Sequence, residues 1–110
     1  MLFQEGQGIL GRIAFVDGNV PEYDRTYLVV KVDTNYIEVI NVSSTKGKER
    51  KLAFPKNERL RIFNPPFLKP SFVKLDSLTC VPSSEWSTLK VLNGGRTLDT
   101  TELKRIQNLL

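Results

Sequence analysis

A chain of 110 residues is long enough for one domain with a single hydrophobic core, so we predict one domain over residues 1–110. Its hydrophobic share of 40% and charged share of 25% are ordinary for a soluble globular protein, and no apolar run is long enough to span a membrane. The chain has no histidine and one cysteine, which excludes the usual general base, most zinc sites and any intrachain disulfide. We therefore expect a cytoplasmic protein that uses no metal or other cofactor.

The first half of the chain reads as three strands. Residues 1–8 form an irregular lead-in, residues 11–17 a first strand, and residues 18–24 a loop that contains Gly, Asn, Pro and Asp. Residues 27–32 and 36–42 are rich in β-branched and aromatic side chains and are separated by a short polar turn. This pattern predicts an antiparallel hairpin.

The second half begins with a hydroxyl-rich and then basic loop at residues 43–50. Four further segments are short strand candidates, at residues 51–54, 60–63, 71–75 and 78–81. A short helix is expected at residues 83–86, after Pro82.

The clearest helix lies at the end of the chain. Asp99 as N-cap with Glu102 three residues later is typical of a capping box. Leu103, Ile106 and Leu110 are spaced to share one helix face. Many short strands with one terminal helix indicate a mainly β fold. We predict a small barrel or curled antiparallel sheet closed by the C-terminal helix, with one or two short helices.

The net charge of +4 is concentrated in residues 46–61, where seven lysines and arginines against two glutamates give +5. A basic segment on a near-neutral body suits a polyanion such as RNA or DNA, and it would equally suit an acidic protein partner. A solvated loop kept soluble by its lysines explains the same pattern.

Arg25 stands where the second predicted strand begins. A guanidinium fixed at the end of a rigid strand, beside a loop, is well placed to hold a phosphate through two parallel hydrogen bonds. The alternative is an arginine on a solvated loop or in an ion pair with Asp24.

The order and spacing of these motifs resemble the MazF/PemK family of toxin endoribonucleases, whose fold is an SH3-like curled sheet. The similarity extends from about residue 8 to residue 110 and rests on the segments GRIAFVD, RTYLVV, INVSST, LKPSFVKLDSLTCV and GRTLDTTELKRI, at residues 11–17, 25–30, 40–45, 68–81 and 95–106. The chain departs from the family in two places. The loop at residues 18–24 is shorter than usual and lacks the family's Gly-x-x-Arg-Pro ending, with Thr26 in place of the proline. The basic stretch after Thr45 is richer in lysine than in most members.

The resemblance implies a metal-independent ribonuclease in which the 2′-hydroxyl of single-stranded RNA attacks the adjacent phosphorus. Arg25 matches the family's catalytic arginine. Ser43 aligns best with its catalytic Thr or Ser, and Ser44 and Thr45 are near-equal candidates because the alignment permits one-residue slips.

Asp76 matches an aspartate proposed as general base in some members, although it could instead be a turn-former before Ser77. The residues expected to bind RNA are Tyr23, Thr45, Lys46, Lys48, Arg50, Lys51 and Lys74. Phe67, Phe72 and Trp86 also lie near predicted loops, but Phe72 suits a core position and Trp86 a lid over the core or a dimer contact.

The resemblance further implies a homodimer that is silenced by a protein antitoxin, whose acidic side chains would offset the basic loop. Two alternatives stay open. One is a non-catalytic small barrel that binds nucleic acid or protein, which Thr26 and the short loop favour. The other is a family relative whose inhibitor is an RNA.

Overall fold

The structure is a computed structural model that describes residues 3–14 and 17–110. The described residues form an open, seven-stranded antiparallel sheet with the order β4-β5-β3-β2-β1-β7, in which β6 also pairs with β3. The strands are β1 (Gly8–Gly11), β2 (Arg25–Val32), β3 (Tyr36–Ser44), β4 (Asn57–Arg59), β5 (Ser71–Lys74), β6 (Thr79–Pro82) and β7 (Lys90–Val91). The α-helices are α1 (Glu49–Leu52) and α2 (Thr100–Leu109), and 3-10 helices occupy Leu75–Ser77, Ser83–Thr88 and Asn93–Gly95.

The β2–β3 hairpin forms the centre of the sheet, and both of its faces are buried. On one face, hairpin residues pack with the apolar side of α2, in a cluster that includes Leu28, Ile40, Val42, Leu103 and Ile106. The other face holds a second cluster, which includes Ile9, Tyr27, Val29, Val39 and Val81. Burial on both faces explains why the β2 sequence is apolar without alternation.

β3 changes its neighbour halfway along. Residues 36–39 pair with β6, whereas residues 42–44 pair with β5. Between these two pairings, the backbone N–H of Asn41 donates to Ser77 Oγ at 2.8 Å. Ser77 belongs to the 3-10 helix that joins β5 to β6. A side chain therefore satisfies the backbone where a strand neighbour would otherwise do so.

The mainly β fold, the hairpin and the terminal helix were predicted correctly. β2 and β3 cover the predicted segments and extend them by two residues at Arg25 and Ser44. Strands also occur at two of the later candidate segments, as β5 and β6, and a short 3-10 helix follows Pro82.

The first strand was predicted wrongly. It is β1 at Gly8–Gly11, while residues 12–14 lie outside any strand and residues 15 and 16 lie outside the described residues. A Cβ on Gly8 would lie 2.9 Å from the Phe67 ring, and one on Gly11 would lie 2.6 Å from Leu89. These glycines permit close packing of a strand, whereas they read as chain breakers in the sequence.

Two later strand predictions were also wrong. Residues 51–54 fall in and after α1, and the strand predicted at residues 60–63 lies earlier, as β4. Beyond β4, the backbone N–H groups of Arg61 and Ile62 donate to the Glu102 carboxylate instead of to a strand. The two-residue strand β7 was not predicted.

The Glu102 side chain connects α2 to the segment that follows β4. Asp99 caps the helix as predicted, because its Oδ2 accepts from the Glu102 N–H at 3.1 Å. The Glu102 side chain, however, accepts from Arg61, Ile62 and the Arg105 guanidinium, and Arg105 also contacts Glu58. Leu103 and Ile106 are buried on the predicted helix face, but Leu110 is 43% exposed.

The hydrogen bond from Arg105 lowers the pKa of Glu102, assisted by the N–H groups of Arg61 and Ile62 and opposed by burial. Among the described residues, no helix is long and apolar enough to cross a membrane.

Glu102→Gln is expected to lower the free energy of unfolding by about 1–3 kcal/mol at pH 7, because it removes a buried charge that accepts several hydrogen bonds. Urea denaturation measures this loss. Glu22→Gln, at an exposed loop position, is the matched control and should change stability little. The difference in unfolding free energy between wild type and Glu102→Gln should reach its full size above about pH 4.3, the ordinary pKa of Glu.

Below that pH the unfolded chain takes up a proton at Glu102 while the folded protein keeps the carboxylate ionised, so the wild type loses its advantage. An unfolding free energy that Glu102→Gln leaves unchanged at pH 7 would contradict this role.

Candidate functional site

A cleft of about 540 Å³ opens beside the point where β3 changes its neighbour. It is lined by residues from β2, β3 and the link between β5 and β6, together with the segment that follows β1: Ile13, Ala14, Asp17, Arg25, Tyr27, Asn41, Lys74, Asp76, Ser77 and Thr79. Of the residues predicted from the sequence, the structure brings Arg25, Lys74 and Asp76 together here. All three positions are set by strands or by the short link held against β3.

Arg25 is the first residue of β2 and pairs with Gly11 of β1. Its Nη2 donates to the Tyr23 hydroxyl at 3.2 Å, and its guanidinium carbon lies 4.8 Å from the centre of the Tyr23 ring. Asp24 forms an exposed salt bridge with Arg12, at 3.5 Å. Tyr23 is 59% exposed, so the arginine and an accessible aromatic ring form one surface at the cleft.

Lys74 ends β5 and is partly buried in the cleft. Burial lowers the pKa of its ammonium group, and the charges of Lys51, Arg25 and Lys48 lower it further, while Asp76 opposes them. Lys48 and Lys51 therefore lie close enough to act on Lys74 although they belong to the basic loop and α1. Besides Arg25 and Lys74, the lining of the cleft holds two carboxylates, Asp17 and Asp76. The lysines of the basic loop and α1 add further positive charge near Lys74.

Tyr27 and Ser77 line the cleft, and both form hydrogen bonds with the backbone. The Tyr27 hydroxyl accepts from the backbone N–H of Ile13 at 3.4 Å, and burial raises the pKa of Tyr27. The Ser77 hydroxyl donates to the Lys74 carbonyl at 2.6 Å while it accepts from Asn41. These polar groups serve the fold, because their hydrogen bonds run to the backbone.

Ser43 and Ser44 line a different cavity, of about 290 Å³. Its other lining residues are Thr26, Val42, Pro66, Phe67, Leu68, Lys69, Ser71, Leu92 and Asn93. In the strand register Thr26 pairs with Val42, and one further step puts Ser43 opposite Arg25, on the same face of the sheet. The side chain of Ser44 then belongs to the opposite face.

The remaining predicted RNA-binding residues line neither cavity. Lys46, Arg50 and Lys51 are exposed, and the Thr45 hydroxyl donates to the Pro70 carbonyl at 3.3 Å. Phe67 and Phe72 are buried, so neither is an open stacking surface. The Trp86 indole N–H donates to the Val81 carbonyl at 3.1 Å, and its ring packs edge to face against Phe3. Trp86 therefore covers part of the core.

Several residues that line the cleft were not predicted, among them Asp17, Tyr27, Asn41 and Thr79. Asn41 carried the clearest sequence signal, because an asparagine near the end of an apolar strand pattern is disfavoured unless a specific contact requires it.

Comparison with known protein families finds no family model that matches this chain, and a search of curated proteins finds no match either. Within residues 3–14 and 17–110, no group of three or more His, Cys, Asp or Glu side chains could hold a metal ion.

Lys51→Gln is expected to raise the pKa of Lys74 toward its ordinary value, because it removes the strongest of the neighbouring positive charges. Titration of the Lys74 side chain by NMR measures this shift. Lys46→Gln, in the loop before α1, is the matched control, and it should leave the pKa of Lys74 unchanged. Equal titration of Lys74 in wild type and Lys51→Gln would show that Lys51 does not act on the cleft.

Proposed function

We propose that this protein is a metal-independent endoribonuclease of the MazF/PemK type, which cuts single-stranded RNA through attack by the 2′-hydroxyl. The observation that carries the proposal is the convergence of Arg25, Lys74 and Asp76 on one cleft, with Lys48 and Lys51 close by. Fixed cations at a concave site favour a phosphodiester, whose charge increases on the phosphoryl oxygens as the reaction proceeds.

Each group in the cleft has a role in this reaction. The Arg25 guanidinium holds the scissile phosphate through paired hydrogen bonds, an interaction that lysine does not reproduce. Asp76 takes the proton from the 2′-hydroxyl, whose oxygen then bonds to phosphorus as the bond from phosphorus to the 5′-oxygen breaks. Lys74, whose pKa is lowered, gives a proton to the departing 5′-oxygen. The products are a 2′,3′-cyclic phosphate and a 5′-hydroxyl.

Ser43 is proposed to donate a hydrogen bond to the same phosphate. The strand register supports Ser43 over its neighbours, because it places Ser43 on the face of Arg25. Ser44 and Thr45 use their hydroxyl oxygens locally, with Ser44 accepting from the Lys46 N–H and Thr45 donating to Pro70. Ser43 lines the second cavity and not the cleft, so this role depends on its position opposite Arg25 in the strand register.

The partners follow from the charge of the cleft. The exposed Tyr23 ring beside Arg25 suits stacking with an unpaired base, which favours single-stranded over double-stranded RNA. An antitoxin that silences the enzyme would cover the same cations with acidic side chains. We also propose that the protein acts in the cytoplasm as a homodimer, as the resemblance implies.

Arg25→Ala is expected to lower kcat/KM for RNA cleavage by about 100-fold or more, because it removes the donors that stabilise the phosphoryl oxygens. The assay uses purified protein and a long single-stranded RNA in excess EDTA, with the ends identified as cyclic phosphate and 5′-hydroxyl. Arg25→Lys should also be impaired, since it keeps the charge but loses the paired geometry. Arg96→Lys, at an exposed position outside both cavities, is the matched control.

Absence of cleavage by the wild type, or cleavage that persists in Arg25→Ala, would refute the ribonuclease proposal. RNA binding without turnover, with an affinity that falls steeply as salt rises, would instead identify a non-catalytic nucleic-acid-binding protein.

Ser43→Ala is expected to reduce cleavage by about tenfold or more, whereas Ser44→Ala should retain most of the activity. The reason is that only the Ser43 side chain shares a sheet face with Arg25. The same RNA assay compares the two variants, with the far-ultraviolet circular dichroism spectrum as a check on folding. The reverse order of effects would assign the catalytic hydroxyl to Ser44, on the opposite face of the sheet from Arg25.

A further inference from the structure

Asn41 is the most unusual polar side chain in the cleft. It is only 7% exposed, and it lies where β3 has no strand neighbour on the side of β5 and β6. Its Oδ1 is buried and has no hydrogen-bond partner within the part of the chain that the structure describes. A buried carbonyl oxygen without a donor destabilises the folded protein, so its retention needs a reason.

The neighbouring hydroxyl groups do not supply the donor. Ser77 donates to the Lys74 carbonyl at 2.6 Å, and Thr79 donates to the Ser77 carbonyl at 2.8 Å. The Tyr27 hydroxyl lies 3.5 Å from the Ile13 carbonyl. Among the described residues, the hydroxyl protons around Asn41 are thus directed to backbone oxygens, and Asn41 Oδ1 is left without a donor.

We propose that Asn41 recognises the edge of a nucleobase next to the scissile phosphate and so sets the sequence preference of the site, an inference that rests on the proposed function. A carboxamide has an acceptor and a donor side by side, and a half-turn about Cβ–Cγ exchanges them without moving the backbone. A nucleobase edge presents the complementary pair.

The position of Asn41 relative to the cations supports this role. Tyr27 pairs directly with Asn41 across the hairpin, and Arg25 lies two residues along β2 on the same face. Two residues of strand span about 7 Å, so a phosphate held by Arg25 can have a base of an adjoining nucleotide beside Asn41. Lysine and arginine only donate hydrogen bonds, so they cannot accept from a base amino or imino group.

The test compares wild type with Asn41→Asp, which keeps the shape but can only accept hydrogen bonds when ionised, and with Asn41→Ala. Cut sites are mapped on a randomised single-stranded RNA. In parallel, binding is measured for uncleavable oligonucleotides with a 2′-deoxy sugar at the cut site and one varied base beside it. Thr79→Val is the matched control in the same cleft, because the Thr79 hydroxyl contacts only the backbone of Ser77 among the described residues.

The expected result is a base preference beside the cut that falls about tenfold or more in Asn41→Ala, shifts toward bases with an amino group in Asn41→Asp, and persists in Thr79→Val. Wild-type preference in both Asn41 variants, or no preference in the wild type, would overturn the inference. If Asn41→Ala does not fold, the isosteric Asn41→Asp decides alone.

The two proposals fail separately. An oligonucleotide preference that depends on Asn41, in a protein that never cuts RNA, refutes the ribonuclease and upholds base recognition. Cleavage that depends on Arg25, with an unaltered base preference in the Asn41 variants, upholds the ribonuclease and refutes base recognition by Asn41.

Discussion

The change of neighbour along β3 is the constraint on which the site depends. β5 and β6 pair with the same side of β3, so the chain between them passes along this edge beside Asn41 without forming a strand pair there. The hydrogen bond from the Asn41 N–H to Ser77 Oγ holds this link against β3. Lys74, Asp76 and Ser77 are therefore fixed against the hairpin instead of extending into solvent, and the cleft is the space that the missing strand pair leaves.

The same constraint determines the electrostatics. Because Lys74 is partly buried beside Arg25, the pKa of its ammonium group falls, and Lys51 and Lys48 add to the effect. The positive charges beside Lys74 outnumber the one carboxylate that opposes them there, that of Asp76, and a bound polyanion relieves this repulsion. This energetic conflict favours a functional over a structural interpretation of these residues.

The sequence was sufficient to predict the strands and helices in which local preference and tertiary packing agree. The apolar run of β2 and the cap at Asp99 belong to this class. It was insufficient where packing decides, as in β1, where Gly8 and Gly11 let the strand pack closely against Phe67 and Leu89.

For the site, the sequence indicated Arg25 from its residue type at the start of a strand, and Lys74 and Asp76 through the family resemblance; all three line one cleft. Asn41 was not predicted. An asparagine in an apolar strand pattern is a local signal, but its importance comes from the missing strand neighbour on one side of β3, which is a property of the sheet topology. Nor could the sequence separate Ser43 from Ser44, since a one-residue change of register moves a side chain to the opposite face of the sheet.

The most direct measurement is an NMR titration of the isotopically labelled protein with a single-stranded oligonucleotide made uncleavable by 2′-deoxy sugars. The account predicts that the largest amide shifts occur at Arg25, Asn41 and residues 74–79, and that they shrink as salt rises. Shifts confined to residues 66–69 and 92–93, beside the second cavity, would contradict it.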